Sequence, residues 1–219
     1  MDNIIISQYE NKPFSGINSM IYNSANNCLY FSDCGKLVEN NLYPAVSSLF
    51  LIDLNNKVIK PVLYECLSYI SDIVYDSMNK VIYLCEMFEN RIIKVKQNSS
   101  GSYYSSIFYQ FSGRLGPRAI ALDDVGHLYI ARYEVKEEFN ENNMLINDGL
   151  ISIIDSSGIF RGDIYVLKMP EIIGLCIPSK KKDTLYITIN ENKSIFKIKL
   201  SNIINQLEDV ENQLNKFFI

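Results

Sequence analysis

The 219-residue sequence carries little of the equipment that catalysis usually needs. His127 is the only histidine, so no credible Ser-His-Asp or Cys-His nucleophile can be assembled. The five cysteines (Cys28, Cys34, Cys66, Cys85 and Cys176) are odd in number, scattered, and without a C-x-x-C pair. Neither a disulfide framework nor a structural zinc site is indicated, and buried free thiols are expected. Polar residues stand beside several of the apolar strands, among them Asn18, the neighbours Ser71 and Asp72, Glu86, and Arg118. Side chains of these types can contact a ligand, offer oxygen to a hard cation or, for Arg118, hold an anion. Each also has a plainer use. Asn18 precedes a strand, where Asn often bonds its own backbone as a turn residue. Glu86 can pair with Arg91 or Arg132, and Arg118 can pair with Asp72 or Glu86. His127 falls in a turn between two strands and is expected at the surface.

The elements that must position these residues follow from a repeat. One phrase occurs four times: an apolar strand, a short polar turn, then a Leu-Tyr or Ile-Tyr strand. Ser19 to Tyr22 leads to Leu29-Tyr30-Phe31, and Asp72 to Tyr75 leads to Ile82-Tyr83-Leu84. Ala119 to Leu122 leads to Leu128-Tyr129-Ile130, and Gly174 to Ile177 leads to Leu185-Tyr186-Ile187. The period runs from about 46 to about 57 residues, in the range of propeller blades with insertions. A third strand follows each phrase, at Leu49 to Leu54, Arg91 to Val95, Leu150 to Ile154 and Ser194 to Ile198. A fourth follows three of them, at Val58 to Val62, Ile107 to Phe111 and Asp163 to Leu167. The aromatics from Tyr103 to Phe111 alternate with polar residues, as an outer blade strand would. Four short strands per unit make the expected fold class all-β, a β-propeller of about four blades. The matching tyrosine in every copy argues against a β-sandwich with coincidental spacing.

Three segments stand outside the repeat. Ile4 to Tyr9 reads as the outermost strand of a blade whose other strands are absent. Glu134 to Asp148 reads as a long charged loop. From Ser201 onward the apolar residues Ile203, Ile204, Leu207, Val210, Leu214, Phe217 and Phe218 form a helical stripe. The expected organisation is therefore propeller blades over 1–200 and an amphipathic helix over 201–219.

Composition bounds the partners. Hydrophobic residues make up 47% of the chain, and 21 Lys plus Arg against 25 Asp plus Glu give a net charge of -4. Such a balance offers no footprint for nucleic acid or an anionic membrane. Lys180-Lys181-Lys182 is a solvated turn run. No stretch reaches membrane-span length and the first residues do not form a signal peptide, so a cytoplasmic location is expected. An open arc of four blades would expose sheet faces and edges, which favours a partner such as a second copy completing the ring.

With the repeats aligned, the chain resembles the regucalcin and gluconolactonase family of six-bladed propellers, and more distantly strictosidine-synthase-like proteins. The resemblance runs from Gln8 to about Leu200, over roughly the family's last four blades. Tyr9-Glu10-Asn11-Lys12-Pro13-Phe14 followed by Gly16-Ile17-Asn18-Ser19 is similar to the family's blade entry, "YEGKPF…PND". Cys85-Glu86 to Asn90-Arg91-Ile92 is similar to "AET…NRI", and Pro117-Arg118-Ala119-Ile120-Ala121-Leu122-Asp123 to "PDGIALD".

The resemblance implies a divalent metal, commonly calcium or zinc, held in a central channel by Glu, Asn and Asp, with a further Asn on the substrate. The substrate Asn maps to Asn18 and is retained. The metal-ligand Asn maps to Ser71, next to Asp72. The metal-ligand Asp, which is also the base of the lactonases, maps to Arg118, and the Glu would lie upstream of Met1. Arg118 puts a fixed positive charge where a cation should bind, and it cannot act as a base. The expectation is a catalytically degenerate propeller that binds a small-molecule ligand or a protein. The competing expectation is a divalent-metal-dependent lactonase or ester hydrolase using Asn18, Asp72 and a rearranged site.

Overall fold

The computed structural model describes residues 4–35, 46–113, 116–133, 148–167, 171–190 and 193–203. Two compact units divide the chain, Met1–Phe111 and Ser112–Ile219. In the first unit a small hairpin, β1 (Gln8–Tyr9) and β2 (Lys12–Pro13), precedes two four-stranded antiparallel sheets. The first sheet runs β3 (Ile17–Asn23), β4 (Cys28–Asp33), β5 (Val46–Asp53) and β6 (Val58–Ser68), neighbours in sequence being neighbours in space. The second repeats this with β7 (Ile70–Asp76), β8 (Val81–Glu86), β9 (Arg91–Gln97) and β10 (Tyr103–Gln110).

The second unit holds β11 (Pro117–Leu122), β12 (Leu128–Arg132), β13 (Gly149–Ile154) and β14 (Phe160–Val166), again in meander order. A three-stranded sheet of β15 (Ile172–Cys176), β16 (Thr184–Ile189) and β17 (Ser194–Lys199) follows, and residues 200–203 begin a helix. Each repeated phrase is thus the first hairpin of one sheet. The rest of the C-terminal stripe, 204–219, lies outside the described residues, as do 134–147 of the charged loop.

Two-residue alternation explains why β4 and β5 read as continuous apolar runs. Cys28 and Tyr30, with Leu49 and Leu51, pack against Ile73, Ile82, Leu84, Ile93 and Val95 of the second sheet. Their neighbours Phe31, Phe50 and Ile52 form a separate cluster on the opposite face, covered by Ile6, Tyr9 and Phe14. A sheet buried on both faces has no polar phase in its inner strands. In the second unit a corresponding core brings Tyr129, Ile151, Leu185, Ile187 and Leu200 together. Of the repeat tyrosines, Tyr30, Tyr83 and Tyr129 are buried and Tyr186 is half-buried.

The leading segment differs from its expectation. Only Gln8–Tyr9 is strand, and it pairs with Lys12–Pro13 of its own hairpin. Glu10 and Asn11 at positive φ (47° and 64°) turn the chain back at once, and Ile4 and Ile5 stay exposed. The thiols also differ in part: Cys28, Cys34 and Cys85 are buried, but Cys66 and Cys176 are exposed. Cys66 lies in the outermost strand of its sheet and Cys176 at the end of β15, positions the expectation of buried thiols did not separate.

Acidic turn residues close the hairpins. Asp76 Oδ1 accepts from the N–H groups of Met78 and Asn79, both at 3.0 Å, and Asp155 Oδ1 from those of Ser157 and Ile159, both at 2.9 Å. Asp53 does the same for Asn55 and Asn56. Asn27, Lys57, Lys80 and Asn90 complete their turns at φ between 52° and 56°, the left-handed conformation that ends a type I hairpin turn.

This turn chemistry sets an acid sensitivity. The Asn56 side-chain amide, aided by backbone N–H groups, holds the Asp53 carboxyl below its ordinary value. At Asp155 burial pushes upward, but the Ile159 N–H and the Arg161 guanidinium outweigh it and the net shift is downward. A carboxyl lowered on folding stabilises above its unfolded pKa, about 3.9, and that stability is lost as pH falls through the folded value. We expect the melting temperature to drop as pH falls below about 4. In Asp155→Asn that slope should be shallower; an unchanged slope would refute the role of Asp155.

Candidate functional site

A β-bulge interrupts the first strand of each of the four larger sheets, close to its start. In β3 the register slips between Ile17 and Met20, leaving Asn18 and Ser19 in the bulge. In β7 it slips between Ile70 and Asp72 at Ser71, and in β11 between Pro117 and Ala119 at Arg118. In β15 the extra residue is Ile173. A bulge takes a residue out of the ladder and re-aims its side chain, which is why bulges gather beside binding sites. Three of the residues singled out from the sequence occupy these positions. Ile173 was not among them, although aligning Glu171-Ile172-Ile173-Gly174 with Gly116-Pro117-Arg118-Ala119 places it opposite Arg118.

In the first unit the bulges of β3 and β7 clasp one another. Asn18 Nδ2 donates to the Ser71 carbonyl at 2.9 Å, and Ser19 Oγ donates to Asp72 Oδ1 at 2.7 Å. The same Asp72 oxygen accepts the Ile73 N–H at 2.9 Å. The turn use expected for Asn18 is therefore not seen; its amide reaches the next sheet instead. Asn18 is nevertheless exposed, and its Oδ1 has no hydrogen-bond partner among the described residues. Ser71 is buried, with its hydroxyl 3.5 Å from the Cys85 carbonyl.

Glu86, at the end of β8, is only 1% exposed. Its Oε1 accepts the Ser68 N–H at 2.7 Å and its Oε2 the Arg91 Nε–H at 2.6 Å. Glu86 and Arg91 are register partners across the β8–β9 hairpin, so the pair forms as the hairpin closes. The Glu86 carboxylate in turn pushes the Arg91 pKa up.

In the second unit Arg118 is half-buried, and its guanidinium has no hydrogen bond or ion pair within the unit's described residues. Arg132, paired with Pro117 across the ladder, is buried and donates to the Ser112 carbonyl. Glu171, just before β15, accepts from Asn190 Nδ2 at 2.8 Å and from the Tyr133 hydroxyl at 3.5 Å. His127 sits in the β11–β12 turn, where Nδ1 lies 3.0 Å from Asp123 Oδ2.

Calcium or zinc does not fit this donor set. In the first unit Asp72 Oδ1 and both oxygens of Glu86 are taken by protein donors and Ser71 offers a hydroxyl that faces a carbonyl; in the second unit Arg118 is a fixed cation. Among the described residues no group of three or more His, Cys, Asp or Glu comes together. No described helix is long and apolar enough to cross a membrane.

No protein-family model matches the sequence, and no curated protein does. Solved structures do match. A gluconolactonase from Xanthomonas campestris superposes with a TM-score of 0.66 at 13% identity, covering 89% of this chain and 60% of its own. A luciferin-regenerating enzyme gives 0.63 at 14% identity, over 84% of this chain and 61% of that one. A structure from a nidogen/laminin complex gives 0.54 at 13% identity, over 86% and 78%. The chain thus spans about three fifths of the length of the enzymes it matches. Its sheets, built as sequential antiparallel meanders, together with these likenesses, identify the fold as a β-propeller of the kind seen in gluconolactonase and luciferin-regenerating enzyme.

Proposed function

We infer that this chain is a gluconolactonase-like propeller without the metal-dependent hydrolase chemistry, acting as a binding module for an anionic ligand. The observation that carries the reading is Arg118: a half-buried arginine, placed at a bulge, with no hydrogen bond or ion pair among its unit's described residues. Arginine presents a planar fork of donors suited to carboxylate or phosphate, and partial burial strengthens the attraction by lowering the local dielectric. A second positive charge brought near it would be repelled for the same reason. A small organic acid, or a carboxylate on a protein partner, meets the requirement.

Calorimetric titration of the purified chain tests this. Gluconate should bind, and Arg118→Gln should weaken it more than tenfold, while calcium and zinc produce no specific heat and a lactone is not hydrolysed above background. Micromolar calcium or zinc binding that disappears in Asp72→Ala would overturn the reading and favour the lactonase.

A further inference from the structure

A cavity of about 430 Å³ opens in the first unit between its two sheets, at the end of the strands opposite the bulges. That volume is in the range of small-molecule sites. Its floor is buried and apolar, formed in part by Tyr30 and Ile82, while Lys80 and Asn98 are exposed at its rim. Three tyrosines shape the interior. The rings of Tyr30 and Tyr75 are stacked, with centroids 6.1 Å apart and planes 18° from parallel, and the Tyr30 and Tyr103 hydroxyls are 3.2 Å apart.

The polar groups are unequal in kind. Among the described residues that line the cavity none is a carboxylate, and Lys80 is the single charged one. The Asn98 side-chain oxygen is taken by the Ser100 N–H at 3.1 Å, the Ser100 hydroxyl at 2.7 Å and the Ser102 N–H at 2.9 Å. Its NH₂ group remains as a donor at the rim. Asn23, Asn26, Gln97 and Ser99 also line the cavity; Asn23 Oδ1 already accepts the Ala25 N–H at 3.1 Å and Gln97 Nε2 donates to the Gly101 carbonyl at 2.8 Å. The interior therefore combines three tyrosine rings, Ile82 and Val95 with partly spent amides, and a cation and an amide donor stand at the mouth. The three tyrosines favour a ring over a flexible polyol, because burying ring carbon against them is favourable whereas each hydroxyl removed from water needs a partner, and part of the amide capacity here is already spent on the protein. A charge at the mouth keeps much of its hydration while meeting Lys80.

We propose that this inter-sheet cavity binds a small aromatic monocarboxylate of the hydroxybenzoate class, ring inward among Tyr30, Tyr75 and Tyr103 and carboxylate outward at Lys80 and Asn98. Arg118 does not line this cavity, and the proposal does not depend on the binding role given to that residue.

The test is calorimetric titration of the full chain with 4-hydroxybenzoate, benzoate and gluconate. Binding of 4-hydroxybenzoate should weaken at least tenfold in Lys80→Gln, an exposed substitution, and remain unchanged in Arg118→Gln. Tyr103→Phe should weaken 4-hydroxybenzoate more than benzoate, because only the former places a hydroxyl against the phenol pair. Absence of binding at millimolar ligand, equal binding of gluconate at this cavity, or indifference to Lys80→Gln would overturn the proposal. Loss of 4-hydroxybenzoate binding in Arg118→Gln but not in Lys80→Gln would assign the ligand to the other site.

Discussion

Replacing Glu86 by alanine should cost the first unit about 3 kcal/mol of unfolding free energy, read as a lowered urea midpoint at unchanged slope. The carboxylate is 1% exposed and satisfies two donors, Arg91 Nε at 2.6 Å and the Ser68 N–H at 2.7 Å. Its removal leaves a partly desolvated guanidinium without its counter-charge and a backbone donor without an acceptor. The lower end of the usual range applies because the Arg91 side chain keeps 26% exposure and can recruit water. Glu86→Gln should cost less, since a neutral oxygen can still accept from Ser68. Exchanging both Glu86 and Arg91 for leucine should recover part of the loss, because no unpaired charge is then left behind. A Glu86→Ala chain of native stability would show that the pair is not structural and would return Glu86 to the list of ligand-binding residues.

Gly16→Ala should cost about 2–3 kcal/mol by a different route. A Cβ at this position would sit against the Gly35 carbonyl oxygen, well inside van der Waals contact, and a backbone atom cannot rotate away. Gly16 also accepts the Cys34 N–H through its carbonyl at 2.9 Å and donates its own N–H to Asp33 Oδ1 at 2.7 Å. Movement there displaces the entry to β3 and the Asn18 bulge that follows. Gly174→Ala is the informative comparison, since its Cβ would meet the Thr188 side-chain oxygen at 2.6 Å. That hydroxyl can change rotamer, so the cost should be about 1 kcal/mol. Urea titrations of the two variants would show the difference, and equal losses would mean that the Gly16 contact is not backbone-limited.

Much of the strand pattern was legible because it is local. The four phrases ending in Tyr30, Tyr83, Tyr129 and Tyr186 became the four first hairpins, since alternation and turn residues act over fewer than about ten residues. For Glu86 the sequence left two partners open, Arg91 and Arg132, and the local one forms, five residues spanning one hairpin turn. The aromatic run at Tyr103 to Gln110 was read correctly as the outer strand of its sheet, although its bounds moved by several residues.

The candidate site was legible only in its addresses. Asn18, Ser71 and Arg118 were placed by resemblance, and all three occupy bulges, but nothing in the sequence disclosed what their side chains would do. Asn18 bonds a carbonyl 53 residues away, Ser19 bonds Asp72 across the same gap, and the leading segment folds back on itself instead of adding to a sheet. The cavity walled by Tyr30, Tyr75 and Tyr103 draws on strands from two sheets. Sequence alone determined the four repeated hairpins and where they turn, because backbone sterics and two-residue alternation are properties of neighbours along the chain. Which polar groups end up spent on the protein and which stay available, as Arg118 does among its unit's described residues, was decided only by tertiary packing. Hydrogen-bond satisfaction depends on groups brought together from distant segments.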